Sequence, residues 1–168
     1  MSYLVPHFIF DSYSGITPDF LLSKGIKFVL CDIDNTLVTY DDPEPTKEVT
    51  SWLCKMKNAG IEIIFLSNNE KERVTRFARD TGYKGYADSG KPLTGKARKI
   101  MKEAGALQSN TAVLGDQIYT DMLLGARLGL SLRIFVPPIK DKKTLFFRFK
   151  RLLERPVLYR YNRMHKKT

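Results

Sequence analysis

The stretch Val29-Leu30-Cys31-Asp32-Ile33-Asp34-Asn35-Thr36-Leu37 decides how the rest of this chain reads. An apolar run over residues 26–30 ends in two acidic residues one position apart. A short run of this kind, bounded by polar residues, predicts a buried strand. If the strand continued, Asp32 and Asp34 would share a face. A bend there instead leaves two carboxylates at the carboxyl end of a central strand, where open α/β sheets bind ligands.

Outward from that stretch, strands and helices alternate. Further strands are predicted at 61–66, 85–87, 111–114 and 131–136. Residues 1–16 carry no firm periodic signal. Thr17-Pro18-Asp19 opens a short helix that ends near Gly25. A second helix runs from Thr46 to about Asn58 with Val49, Trp52, Leu53 and Met56 on one face. A charged helix over 70–79 is capped by Asn69, another opens at Lys91-Pro92 and runs to about Glu103, and a last one carries Tyr119, Met122, Leu123 and Ala126. This alternation predicts an α/β fold with a doubly wound, mostly parallel five-stranded sheet.

Each later strand end adds a different chemical part. Ser67 and Asn68 follow the 61–66 strand, where the Ser67 hydroxyl and the N–H groups opening the next helix suit a phosphate. Lys91 could neutralise charge developing on a transferring phosphoryl group, although Lys96 and Lys99 are close by. Asp116 ends the 111–114 strand and could join Asp32 around a hard cation such as Mg²⁺, which takes a few carboxylate oxygens with waters and phosphate oxygens. Asp121, about one helical turn further on, could support the metal's waters or orient Lys91. Singly, each has an ordinary reading as a cap, a solvated lysine or a strand-to-helix turn. Their order on successive strand ends makes one site of them.

The order DIDNTL (32–37), SNN after a strand (67–69), Lys-Pro (91–92) and GDQIYTD (115–121) resembles the haloacid dehalogenase-like phosphatases over about residues 26–136. DIDNTL with GDQIYTD and the chain length resemble the YqeG-like group, which is related to the mitochondrial phosphatidylglycerophosphate phosphatases. The resemblance implies that Asp32 attacks phosphorus and forms an aspartyl-phosphate. It implies that Asp34 protonates the leaving alcohol and then deprotonates the attacking water. Asp32, the backbone carbonyl of Asp34 and Asp116 would hold Mg²⁺. Ser67, Asn68 and Lys91 would bind the phosphate, and Thr36 would fix the bend of the first loop.

Many relatives carry an inserted cap domain. Here 35 residues separate Asp32 from Ser67, 24 separate Ser67 from Lys91, and 25 separate Lys91 from Asp116. One helix and its loops fill each interval, whereas a cap would need on the order of 50 more residues. The expected site is therefore open and capless, suited to a phosphate carried on a large body such as a lipid headgroup.

Composition bounds the rest. The 168 residues, 43% hydrophobic and 27% charged, fit a single globular domain. No apolar run approaches the roughly 18 residues of a membrane span, and Met1 to Phe10 lacks a secretory start. Cys31 and Cys54 read as reduced packing thiols of a cytoplasmic protein. Charge is uneven: residues 140–168 hold 11 Lys/Arg against 2 Asp/Glu, and residues 1–139 hold 17 against 16. The chain thus divides into a phosphatase domain over 1–138 and a basic amphipathic extension over 139–168. Within the extension, Leu145, Phe146, Phe149, Leu152 and Leu153 fall on one helical stripe, with Arg148, Lys150, Arg151 and Arg155 mostly elsewhere. Such a helix suits peripheral contact with an anionic membrane, or it packs its stripe on the domain. Residues 155–167, with Tyr159 and Tyr161, could equally touch RNA. The rival function is an RNA- or ribosome-associated binding module with weak or no catalysis. The Asp32/Asp34 pair favours the enzyme, because a binding module has no need of an acid–base carboxylate.

Overall fold

Strand β2 (Phe28–Cys31) is the buried strand that leads into Asp32. The structure is a computed structural model; it describes residues 2–140 and 145–165, with side chains over 3–140 and 151–165. Around β2 lie β1 (Phe8–Ile9), β3 (Glu62–Leu66), β4 (Lys84–Tyr86), β5 (Thr111–Gly115) and β6 (Leu132–Phe135), in the order β1-β6-β5-β2-β3-β4. Every pairing is parallel. Cys31 at the end of β2 stands beside Phe65 of β3 and Leu114 of β5. The chain leaves β2 toward β3 and β4, then crosses back over it to β5 and β6. That reversal opens a crevice at the carboxyl ends of β2, β3 and β5, the usual ligand position in such sheets.

Helices cover both faces, as parallel sheets require. They are α1 (Pro18–Ser23), α2 (Lys47–Asn58), α3 (Lys71–Ala78), α4 (Gly95–Ala104), α5 (Leu123–Leu128) and α6 (Leu145–His165). Thr17 and Thr46 cap α1 and α2 by accepting from the N–H groups of Phe20 and Val49 at 3.2 and 3.3 Å. On one face Val29, Cys31, Ile63 and Phe65 pack with Trp52, Met56, Val74 and Phe77 of α2 and α3. On the other, Leu30, Ile64 and Val113 pack with Ile100, Leu124 and Val157 of α4, α5 and α6. Successive strand residues face opposite layers, so every position of β2 from Val29 to Cys31 is buried.

The architecture is the expected α/β sheet, with three local differences. The sheet has a sixth strand: β1 pairs two residues with β6 at the edge, and His7 N–H donates to the Arg133 carbonyl at 2.8 Å. A two-residue strand set by tertiary pairing is too short to show a period. Asn69 does not cap α3; its Oδ1 accepts from Glu70 N–H at 2.9 Å and its amide nitrogen points into the site. Helix α4 begins at Gly95 and not at Lys91-Pro92, because the Lys91 peptide is held from across the crevice by Asn68.

The start of the basic helix at residue 144, and the side chains of Leu145, Phe146, Arg148, Phe149 and Lys150, lie outside the described residues. Of the expected stripe, Leu152 and Leu153 are 54% and 43% exposed. Among the described side chains, those of Glu154, Val157, Leu158 and Tyr161 face the domain, spaced as one helical stripe. Among the described residues, no helix is long and apolar enough to cross a membrane.

Candidate active site

The bend after β2 forms because Ile33 turns its carbonyl toward three successive N–H groups, those of Thr36, Leu37 and Val38. Asn35 sits at φ 63°, a left-handed conformation that asparagine tolerates better than most residues. The bend separates the two acids. Asp32 keeps its N–H on the Leu114 carbonyl at 2.9 Å and faces β5. Its Oδ2 accepts from the Thr36 hydroxyl at 3.2 Å and its Oδ1 from Lys91 Nζ at 2.6 Å.

Asp34 turns the other way, toward α3. Arg73 donates to Asp34 Oδ1 through Nε at 3.2 Å and Nη2 at 2.9 Å. Asn69 Nδ2 and Ser67 Oγ approach Asp34 Oδ2 at 3.3 and 3.5 Å. Arg73 also ties the first loop down by donating to the carbonyls of Thr39 and Asp42. Sequence reasoning did not single out Arg73. It reads like Arg76 and Arg79 on the same charged helix, both of which are exposed.

Lys91 is buried between Asp32 and Asp121, with Nζ 2.6 and 2.7 Å from their carboxylates. Burial works against its charge, but the two acids outweigh it and raise the pKa above the ordinary lysine value. Asn68 serves this lysine. Its Oδ1 accepts from Lys91 N–H at 2.8 Å and from the Ser89 hydroxyl, and its amide donates to the Lys91 carbonyl at 3.0 Å. The Asn68 side chain thus holds the Lys91 loop.

Beyond β5 the chain makes a π-helical turn, Ile118–Met122, of the wide kind often found at functional sites. It folds Asp121 back over Gly115, where Asp121 Oδ2 accepts from Gln117 N–H at 3.2 Å. A Cβ at Gly115 would lie 2.3 Å from Asp121 Cγ. Gly115→Ala is therefore expected to displace Asp121 and lower activity at least tenfold, at a stability cost of about 1–3 kcal/mol. Steady-state rates beside thermal unfolding check both figures.

The carboxylates of Asp32, Asp116 and Asp121 come within 4.8 Å of one another, all buried. Asp121 thus joins the cluster, whereas the Asp34 carboxylate stands outside it. The set fits a hard divalent cation. Asp116 Oδ1 is buried without a hydrogen-bond partner, and the three acids face two nearby cations, Lys91 and Arg151. Arg151, from α6, donates to Asp116 Oδ2 at 2.6 Å and to the Asp116 carbonyl at 2.7 Å. A sequence scan gave it no such role, since its partner lies 35 residues away.

Burial pushes Asp32 up to about 7, with Lys91 opposing and Asp121 and Asp34 adding to the rise. Burial likewise pushes Asp116 up to about 8, with Asp32 and Asp121 adding and Arg151 opposing. A carboxyl whose folded pKa lies above its unfolded value stabilises the fold below the unfolded value, and that stability is lost as pH rises through the folded one. Metal-free protein should therefore lose stability between about pH 4 and pH 8. Mg²⁺ should raise the melting temperature more at pH 8 than at pH 5, as thermal unfolding with chelator or Mg²⁺ would measure. Cys31 adjoins the site, but burial raises its thiol well above the ordinary value. It is a packing residue.

A family model described as haloacid dehalogenase-like hydrolase matches residues 19–129. The chain belongs to the haloacid dehalogenase-like hydrolases. Within that family it is YqeG-like: it is 33% identical over 143 residues to the probable phosphatase YqeG of Bacillus subtilis (strain 168), covering 85% of this chain and 83% of that one. Two solved structures share the fold. The cobalt-bound deoxy-D-mannose-octulosonate 8-phosphate phosphatase of Haemophilus influenzae matches with a TM-score of 0.54 at 18% identity, over 76% of this chain and 75% of that one. An uncharacterised protein of Listeria monocytogenes serotype 4b matches with a TM-score of 0.54 at 19% identity, over 71% and 85%.

Proposed function

We propose that this YqeG-like phosphatase is a Mg²⁺-dependent phosphomonoester hydrolase that works through an aspartyl-phosphate on Asp32. The observation that carries the reading is the setting of Asp32. It is a buried carboxylate at the end of the central strand, with Thr36 and Lys91 on its two oxygens and Asp116 and Asp121 beside it. Asp32, Asp116 and Asp121 offer the carboxylate oxygens for the cation, and the Asp34 carbonyl is a further candidate ligand. When bound, Mg²⁺ would supply positive charge that offsets repulsion between an anionic nucleophile and an anionic phosphate.

In the first half-reaction an Asp32 oxygen bonds to phosphorus while the bond from phosphorus to the ester oxygen breaks. Asp34 gives its proton to the departing alkoxide. In the second, Asp34 takes a proton from water as that water bonds to phosphorus, and the Asp32–phosphorus bond breaks to release phosphate. Asp34 Oδ2 is the oxygen assigned to the proton, because its contacts with Asn69 and Ser67 are the longer ones. Lys91 and Ser67 are the donors assigned to the phosphoryl oxygens. Thr36 holds Asp32 in place.

Phosphatidylglycerophosphate is the proposed substrate, on the resemblance of the DIDNTL and GDQIYTD segments to the phosphatases that act on it. The outward side of α6 supports a surface-borne substrate: Leu152, Leu153, Tyr159 and Met164 are exposed among exposed Arg155, Arg160 and Arg163. A cytoplasmic enzyme could dock such a face peripherally on anionic lipid. The test is phosphate release from a small aryl phosphate and from phosphatidylglycerophosphate in mixed micelles, with and without Mg²⁺. Metal-dependent turnover supports the enzyme, and a large preference for the micelles supports the lipid. Folded protein inactive on both would favour the rival, an RNA-associated module using the same arginines.

A further inference from the structure

We propose that Arg151 of the C-terminal helix is a positioning residue for Asp116, so that α6 completes the active site from outside the sheet. The proposal rests on the metal-site reading above. One guanidinium holds both the carboxylate and the main-chain carbonyl of the same residue, at 2.6 and 2.7 Å. A two-point, planar grip of this kind fixes orientation as well as charge. It occupies Asp116 Oδ2 and leaves Oδ1 as the unpartnered oxygen beside Asp32 and Asp121.

Arg151 is itself held. Its Nη1 donates to Glu154 Oε2 at 2.8 Å, and Glu154 is 2% exposed. The other Glu154 oxygen accepts from Ile118 N–H at 2.9 Å, the first residue of the turn that carries Asp121. The Tyr119 hydroxyl donates to the Leu153 carbonyl at 2.9 Å, tying the same turn to α6 again. Two side chains one helical turn apart thus brace both acids that follow β5, Asp116 directly and Asp121 through its turn. A helix docked only to cover apolar surface would place an apolar residue at 154, since a buried carboxylate is costly unless fully partnered. Lys91 plays the matching part for Asp32 and Asp121.

The test is calorimetric titration of metal-free full-length protein with Mn²⁺, for wild type, Arg151→Ala, Arg151→Lys and Glu154→Gln, beside thermal unfolding and steady-state kinetics. Losing an outer partner of a ligand typically weakens metal binding about 10- to 100-fold. Arg151→Ala is expected in that range, with kcat reduced and the KM for an aryl phosphate little changed. Arg151→Lys should recover part of the affinity, because an ammonium can keep the Asp116 carboxylate contact without the planar grip. Glu154→Gln should fall between wild type and Arg151→Ala. If Arg151→Ala does not fold, the other two variants carry the test. Wild-type Mn²⁺ affinity in the variants that fold would overturn the proposal while leaving the metal site standing. Failure of wild type to bind Mn²⁺ would overturn the metal site, and this proposal with it.

Discussion

Asp32→Asn is expected to lower phosphate release from an aryl phosphate on the order of 10,000-fold or more, the range seen when a covalent nucleophile is removed. The change is nearly isosteric and keeps an oxygen for the Thr36 hydroxyl, so the fold should survive. It removes the charge that pairs with Lys91 at 2.6 Å and one of the three clustered carboxylates. Divalent-ion affinity should fall along with turnover. Raising the metal concentration to saturation separates the two losses: a variant that only bound metal poorly would regain its rate. Recovery to within tenfold of wild type would sink the nucleophile assignment.

Lys91→Met should show the second-largest effect. The thioether matches the length of the lysine stem but leaves Asp32 and Asp121 buried without their shared ammonium. Removing one partner of a buried ion pair costs about 3–5 kcal/mol. That cost should appear in chelator-treated protein and shrink when Mg²⁺ replaces the missing charge. Turnover should stay about 100- to 1,000-fold low even with Mg²⁺, since the donor proposed for the phosphoryl oxygens is gone. Equal melting temperatures for wild type and variant in chelator would contradict the pairing.

Asp32 and Asp116 were legible because each directly follows a buried strand, and a doubly wound order carries such strand ends to one edge. Asp121 was legible only by its place about one helical turn beyond Asp116. Lys91 was legible from the proline that follows it, although the helix starts later than that proline suggested. Residues that act sideways were not legible. Arg73 looks like two exposed arginines beside it, and only the path of the first loop over α3 gives it Asp34, Thr39 and Asp42 as partners. Asn68 reads as part of a phosphate loop, and the second task of its side chain, holding a peptide the chain reaches only 23 residues later, leaves no mark in the sequence. In the tail, apolar spacing points to Leu152 and Leu153, whereas Glu154, Val157, Leu158 and Tyr161 meet the domain. The charge at 154 breaks the apolar pattern, although Glu154 is among the most buried side chains of the helix. Buried polar contacts between distant segments carry no period, so periodicity cannot reveal them.

In the proposed mechanism the phosphoryl group rests on Asp32 during turnover. The most direct measurement is an acid-quenched single turnover with a phosphorus-labelled aryl phosphate, followed by peptide mapping of the label. Label on the peptide that holds Asp32, labile to hydroxylamine as an acyl phosphate should be and absent from Asp32→Asn, is the result predicted. Full turnover with unlabelled protein at every quench time, or label on another residue, would overturn the assignment of Asp32 as nucleophile.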